Sequence, residues 1–341
     1  MEMVSGLATL WGPSAPGAPI PAGRTPRRRP MHPLADDSAS SPGADVFSPL
    51  TVIVVGEDHG VVVRRLRAAR PDAIVTGLGP VDAAALAHAS ATAHLVLGVG
   101  EVSAAAWCDA VLAEGDEGGL SRFLARAAEV EERRRARRLP PDTPPILEPW
   151  SPHWAADAAR LGARVAAAFD GVPVRVDHIG STAVPGLRAK PIIDLQVGVR
   201  DLADADAAEQ RLGDAGFVNV QRIVPDAPGV SRDNARTSGD QGEWSKRLFA
   251  SVDAGARAIV HVRRVGASNA RYALLFRDWL RADPGARDEY AALKTALASA
   301  HRDDRDFDDY ARAKDHWFDR AQREMEAWAR ATGWVPGGRG A

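Results

Sequence analysis

The run Val174-Arg175-Val176-Asp177-His178-Ile179-Gly180-Ser181-Thr182-Ala183-Val184-Pro185-Gly186-Leu187-Arg188-Ala189-Lys190-Pro191-Ile192-Ile193-Asp194-Leu195-Gln196-Val197-Gly198-Val199 reads as two β-strands joined by a Gly-Ser turn and a basic loop. Apolar and polar residues alternate from Val174 to Ile179, and Gly180-Ser181 breaks the strand where a compact backbone lets a ligand approach. In the second strand Ile193, Leu195, Val197 and Val199 fall on one face and Asp194 and Gln196 on the other, because strand side chains alternate with period two. A carboxylate and an amide thus point together from a sheet toward the turn.

A Gly-Ser turn followed by a strand with a polar-apolar-polar triplet resembles the nucleotidyltransferase superfamily, where the turn holds a nucleotide triphosphate and two strand acids hold magnesium. More narrowly, the stretch from Val176 to Leu187 followed by Ala189 to Val197 resembles the signature of the GrpB family, a nucleotidyltransferase-fold group. The resemblance extends through Glu243-Trp244-Ser245-Lys246-Arg247, Val260-His261-Val262-Arg263, the run from Leu274 to Arg281, and Glu289-Tyr290. It covers roughly residues 146–336, and so many collinear motifs are far more specific than a lone Gly-Ser. It implies a nucleotidyltransferase-like mixed-sheet domain with C-terminal helices.

The 341 residues suffice for two domains at about 100–200 residues each. The expected class is α/β and α+β: a small parallel α/β module over 49–138, a linker at 139–145, and the mixed-sheet domain over 146–336. Residues 1–48 are rich in Pro, Gly, Ser and Ala without an apolar period, and are expected to be a disordered tail. The tail carries one basic knot, Arg24, Arg27, Arg28 and Arg29, read as a solvated cluster, and Met31 is an alternative start. A single cysteine, Cys108, excludes an internal disulfide, and no CxxC or His/Cys cluster offers a zinc site, which fits a reducing cytoplasm. No apolar run reaches the roughly 18 residues of a membrane span, and no basic segment precedes an apolar core as in a signal peptide, so no membrane association is expected. With a net charge of −2 there is no global pull toward nucleic acid, and anion binding would have to come from a local cluster.

From Pro49 the pattern alternates: strand Thr51–Val55, helix Gly60–Ala69, strand Ala73–Thr76, helix Val81–Ser90, strand His94–Val99, then a helix over Gly119–Arg138 ended by Pro140-Pro141. The run from Val52 to Val55 leading to Val63-Arg64-Arg65-Leu66, and Cys108 to Leu112, resembles the late portion of a dephospho-CoA kinase, a domain that precedes a GrpB domain in actinobacterial-type proteins. Nowhere in these residues does a GxxxxGK[ST] loop occur, so the module is expected to be a degenerate kinase without an ATP site. Further on, the spacing predicts helices at Trp150–Phe169 and Leu202–Gly216, a hairpin over Arg247–Arg264, and three helices at Asn269–Ala282, Pro284–His301 and Phe307–Thr332. The acidic string Asp303, Asp304, Asp306, Asp308, Asp309 lacks the glycine and terminal Glu of an EF-hand and reads as a solvated loop at a helix N-terminus.

Metal-dependent phosphoryl or nucleotidyl transfer needs several hard oxygen ligands, and one clear strand carboxylate is available, Asp194. Where the superfamily has its second acid stands Gln196, a poorer Mg2+ ligand. The strand Ala258–Arg263 puts His261 and Arg263, not an acid, on one face. Adding Arg188 and Lys190 from the loop, and Lys246 and Arg247 at the hairpin start, gives a basic cluster around a single aspartate. Such a cluster suits a nucleotide or other phosphate-bearing small molecule, held by charge-assisted hydrogen bonds with Gly180 and Ser181, better than metal-dependent transfer. The competing reading is an enzyme using Asp194 and Gln196 with Mg2+ on Asp194; the plain alternative for Asp194 is an ion-paired surface acid, and His178 either donates to a phosphate or bonds its neighbour.

Overall fold

The structure, a computed structural model, describes residues 47–337 apart from 58, 103–104, 237–240 and 307. The basic knot, Met31 and nearly all of the expected tail lie outside the described residues. The first module runs β1 (Thr51–Val55), α1 (His59–Ala69), β2 (Ile74–Leu78), α2 (Ala83–Thr92), β3 (Leu95–Val99), β4 (Ala110–Leu112) and α3 (Glu117–Arg135). Its four strands form a parallel sheet in the order β2-β1-β3-β4. β1 and β3 are continuous apolar runs because a parallel sheet is covered on both faces. Asp82 and Asp116 start α2 and α3 by accepting the Ala85 and Gly119 N–H groups, each at 2.8 Å. β4 was not expected, since three residues are too few for alternation to register.

The second part begins with α4 (His153–Ala168) and continues through β5 (Arg175–Ile179), β6 (Ile193–Val199), α5 (Ala203–Asp214), β7 (Phe217–Asn219) and a single turn α6 (Val220–Ile223). It then adds β8 (Arg247–Ser251), β9 (Ala258–Arg264), α7 (Ser268–Ala282), α8 (Pro284–Ala300), α9 (Asp308–Arg312) and α10 (Asp315–Thr332). The sheet order is β5-β6-β9-β8-β7, with β6 and β9 parallel and the other pairs antiparallel. The fold is therefore a parallel α/β module followed by a mixed-sheet domain with C-terminal helices, as the sequence implied.

One face of the mixed sheet, with Ile193, Leu195, Val197, Val260 and Val262, packs under Trp154, Leu161 and Val165 of α4 and Ala208 and Leu212 of α5. Burying each large apolar side chain contributes about 1.5–3 kcal/mol. The opposite face is divided. Leu248, Ala250 and Ile259 join Val52, Leu97, Phe123 and Val130 of the first module in one continuous core. Beyond them the polar residues of β6 and β9 meet an aromatic cluster built by α7, α8 and α10, with Tyr272, Phe276, Tyr290, Trp317 and Phe318.

The helix expected over Phe307–Thr332 is two helices, broken at Ala313 and Lys314, and Phe307 itself lies outside the described residues. The break lets Tyr310 pack into the core shared with the first module while Trp317 packs against α7 and α8. One straight helix would put both rings, seven residues apart, on the same face.

Charge also ties the two parts together. Arg126 of α3 reaches Asp253 at 2.7 Å and Asp109 at 3.0 Å, and Arg160 of α4 pairs with the same Asp109. His94 accepts the Thr51 N–H on Nδ1 at 2.9 Å, so Nε2 carries the proton and donates to the Asp214 carbonyl at 2.5 Å. Burial lowers this imidazole to about 4, keeping it neutral.

Candidate functional site

The parallel pairing of β6 with β9 sets Gln196 beside His261, so Asp194, Gln196, His261 and Arg263 share one sheet face. Asp194 stands at the edge of this group, 22 % exposed, against the turn that follows β5. There Gly180 takes φ +70°, and Ser181 to Ala183 form a single 3-10 turn. Tyr290 of α8 lines the same cavity as Ser181, so the helical layer covers the turn.

Behind Asp194 the polar face is internally satisfied by Asp233, which lies between α6 and β8 and was not singled out from the sequence. Its carboxylate accepts from Lys246 Nζ at 2.7 Å and Arg263 Nε at 2.9 Å, and from Asn269 Nδ2 at 3.2 Å. The Arg263 and Lys246 cations hold Asp233 ionised, far below the usual carboxylate range, against the cost of its burial. Gln196 accepts from Arg263 Nη1 at 2.7 Å and donates to the Ala270 carbonyl at 3.2 Å, so both ends of its amide are engaged. His261 Nδ1 faces Lys246 Nζ at 3.4 Å and Arg263 Nη2 at 3.3 Å, while Nε2 lies 3.7 Å from Asp194. Burial and those two cations lower it to about 4, so its Nε2–H faces the carboxylate in the neutral ring.

In front of Asp194 the structure joins the expected Lys190 with two lysines that sequence spacing did not reveal, Lys294 and Lys314. Lys190 precedes β6, Lys294 lies on α8, and Lys314 sits at the break between α9 and α10. Lys314 Nζ lies 4.5 Å and Lys190 Nζ 5.6 Å from the centre of the Tyr310 ring, and Lys294 Nζ lies 5.4 Å from the Tyr290 ring while donating to the Arg188 carbonyl at 2.6 Å. Burial is the chief cause that lowers all three ammonium groups, and the charge of Lys314 lowers Lys190 and Lys294 further. Lys314 comes down to about 8, with Asp194 acting in the opposite sense on each of the three. The signal that could have found Lys294 and Lys314 was a lysine on an otherwise apolar helical stripe, but their convergence is a property of helix placement.

Two small cavities open here and share Ser181, Asp194 and Lys314. One, about 90 Å³, also reaches His261, Arg263 and the aromatic rings; the other, about 60 Å³, reaches Lys190, Lys294 and Tyr310. A larger groove of about 410 Å³ lies between the linker at Thr143 to Ile146 and the β8–β9 turn at Ala254 to Arg257; it shares Lys190 with the second small cavity and is lined by Glu148, Asp157 and Arg257, but not by Asp194, Lys294 or Lys314.

The expected basic cluster is brought together only in part. Lys190 and Arg263 line the cavities with Gly180, Ser181, Asp194 and His261. Arg247 pairs with Val262 in register and so lies on the other face, bonded to Asp206 at 2.7 and 2.9 Å. Arg188 is exposed and donates to the Leu147 carbonyl, turned from the pocket by the loop that carries it. Lys246 is fully buried behind the site in its pair with Asp233. His178 pairs in register with Leu195, hence faces the side opposite Asp194, and its Nε2 lies 2.9 Å from Thr182 Oγ1. Among the described residues no three His, Cys, Asp or Glu side chains form a metal-ligand group.

The family model described as GrpB protein matches residues 144–324, more than half of the chain. A relative named dephospho-CoA kinase, from Mycolicibacterium paratuberculosis, is 35% identical over 321 residues, covering 89% of this chain and 72% of its own. The UPF0157 protein YqkA of Bacillus subtilis is 30% identical over 155 residues, 46% of this chain and 39% of its own. The crystal structure of the conserved protein GrpB from Enterococcus faecalis covers 54% of this chain and 99% of its own at 25% identity, with a TM-score of 0.43. On the span of the family match, the chain belongs to the GrpB family.

Proposed function

We propose that the mixed-sheet domain binds a phosphate-bearing small molecule in the cavities around Asp194. The observation that carries this is the convergence of Lys190, Lys294 and Lys314 on one aspartate beside the Gly180-Ser181 turn. Buried like charges lower one another's affinity for protons, and a phosphate placed among them relieves that repulsion while accepting charge-assisted hydrogen bonds. Magnesium fits the same set poorly: Asp194 is the one acid lining the two cavities, and cations surround it. Gln196, in the position of a second acid, spends its oxygen on Arg263.

The ligand class is a nucleotide or another phosphate-bearing small molecule, and a role accessory to coenzyme A synthesis in the cytoplasm is the context suggested by relatives named dephospho-CoA kinase and by the lone Cys108. Among the described residues no helix is long and apolar enough to cross a membrane. A second reading, a magnesium-dependent nucleotidyltransferase, is favoured by the seat of Asp194 on a strand directly against the glycine turn. Kinase activity of these 341 residues is disfavoured by the missing phosphate loop.

The deciding experiment is a thermal-shift series against inorganic phosphate, nucleotides, dephospho-CoA and coenzyme A, with and without magnesium, since a ligand stabilises the state that binds it. Phosphate-bearing ligands should raise the melting temperature without magnesium. Stabilisation that appears only with the metal would favour the transferase reading, and none with any phosphate would remove both.

A further inference from the structure

The two cavities around Asp194 differ in chemistry. The lysine cavity ends at Lys190, Lys294 and Tyr310, whose hydroxyl is buried without a hydrogen-bond partner among the described residues. Such an orphan donor is costly unless something accepts from it, and an anion among the lysines would. The other cavity is walled by Tyr272, Phe276, Tyr290 and Phe318, with Tyr272 and Phe276 stacked at 6.4 Å and nearly parallel and Phe318 edge-on to Phe276 at 5.4 Å. Its polar floor, His261 and Arg263, already bonds inward, Arg263 to Asp233 and Gln196. Nothing about binding a bare phosphate needs an aromatic chamber joined to the anion pocket.

We propose, resting on the phosphate-binding reading, that the ligand is a small phosphate monoester whose organic part is a flat apolar group, the phosphate entering the lysine cavity and the flat group the aromatic one. The size sets an upper limit. An apolar cavity of about 150 Å³ accommodates benzene, so about 90 Å³ open to solvent admits a single ring in part and leaves a fused purine ring outside. Ser181 and Lys314 line both cavities and stand at the junction, where the ester oxygen would lie.

Calorimetric titration of the full chain with inorganic phosphate, methyl phosphate and phenyl phosphate tests this. Phenyl phosphate should bind roughly tenfold tighter than methyl phosphate, the gain for burying part of a ring. Phe276→Leu should erase that gain and leave methyl phosphate binding unchanged; Tyr272→Leu, read the same way, serves if the first variant does not fold. Equal affinities for the methyl and phenyl esters, both binding, would overturn the two-part ligand while sparing the phosphate site. Failure of all three to bind would remove the phosphate site and this inference with it.

Discussion

The backbone of Gly180 lies so close to Asp194 that a Cβ at position 180 would meet Asp194 Oδ2 at 2.2 Å. The glycine of the turn and the carboxylate of the next strand are thus one structural unit. Any side chain at 180 must displace the carboxylate, and φ +70° is itself unfavourable for a residue with a Cβ. Gly180→Ala should lower stability by about 1–3 kcal/mol, read from the midpoint of a urea melt, and weaken phosphate binding in the same variant.

Asp194→Asn separates the binding reading from the transferase reading. At pH 6.5 the substitution removes a negative charge that faces the bound anion, and inorganic phosphate should bind several-fold tighter by calorimetry. A magnesium-dependent site would instead lose its ligand altogether.

Lys314, at about 8, makes phosphate affinity depend on pH. An anion favours the charged ammonium, so binding is strongest below about 8 and weakens as the free protein loses that proton, by up to about tenfold per pH unit. Binding near pH 8 should take up protons, visible as a titration enthalpy that varies with the ionisation heat of the buffer.

Asp233 is the counter-ion of two buried cations. Asp233→Ala would leave Lys246 and Arg263 uncompensated and should cost about 3–5 kcal/mol in a denaturant melt, the range for breaking a buried pair from one side. Arg263→Ala should likewise register first as lost stability.

His94, His178 and His261 each come down to about 4, chiefly through burial. The unfolded chain binds these protons from about 6.5 downward and the folded chain does not, so stability present above pH 6.5 is lost as pH falls toward 4. Each histidine contributes at most about 1.4 kcal/mol per pH unit. His94→Gln should flatten that part of the stability profile relative to the parent chain.

Much of this was legible in the residues. Alternation along Ile193 to Val199 assigned Asp194 and Gln196 to one face and the apolar residues to the other, and the face of His261 and Arg263 followed in the same way, because side-chain direction in a strand depends only on parity. The alternation of strands such as Thr51 to Val55 with helices identified the parallel module, because parallel strands need a crossover between them. Other features depended on which strand lies beside which. The parallel pairing of β6 with β9 decided that Gln196 would hold Arg263, and the opposite face of β8 removed Arg247 from the site. Lys294 and Lys314 lie 20 residues apart, one on α8 and one in the break between α9 and α10, and only the packing of these helices brings both into the cavity that Asp194 lines. Asp233, in a segment without regular period, became the centre of the buried polar network because three donors from different elements converge on it. Local pattern is set by the backbone geometry of each element; a site whose charges come from three elements and two connecting segments is set by their packing.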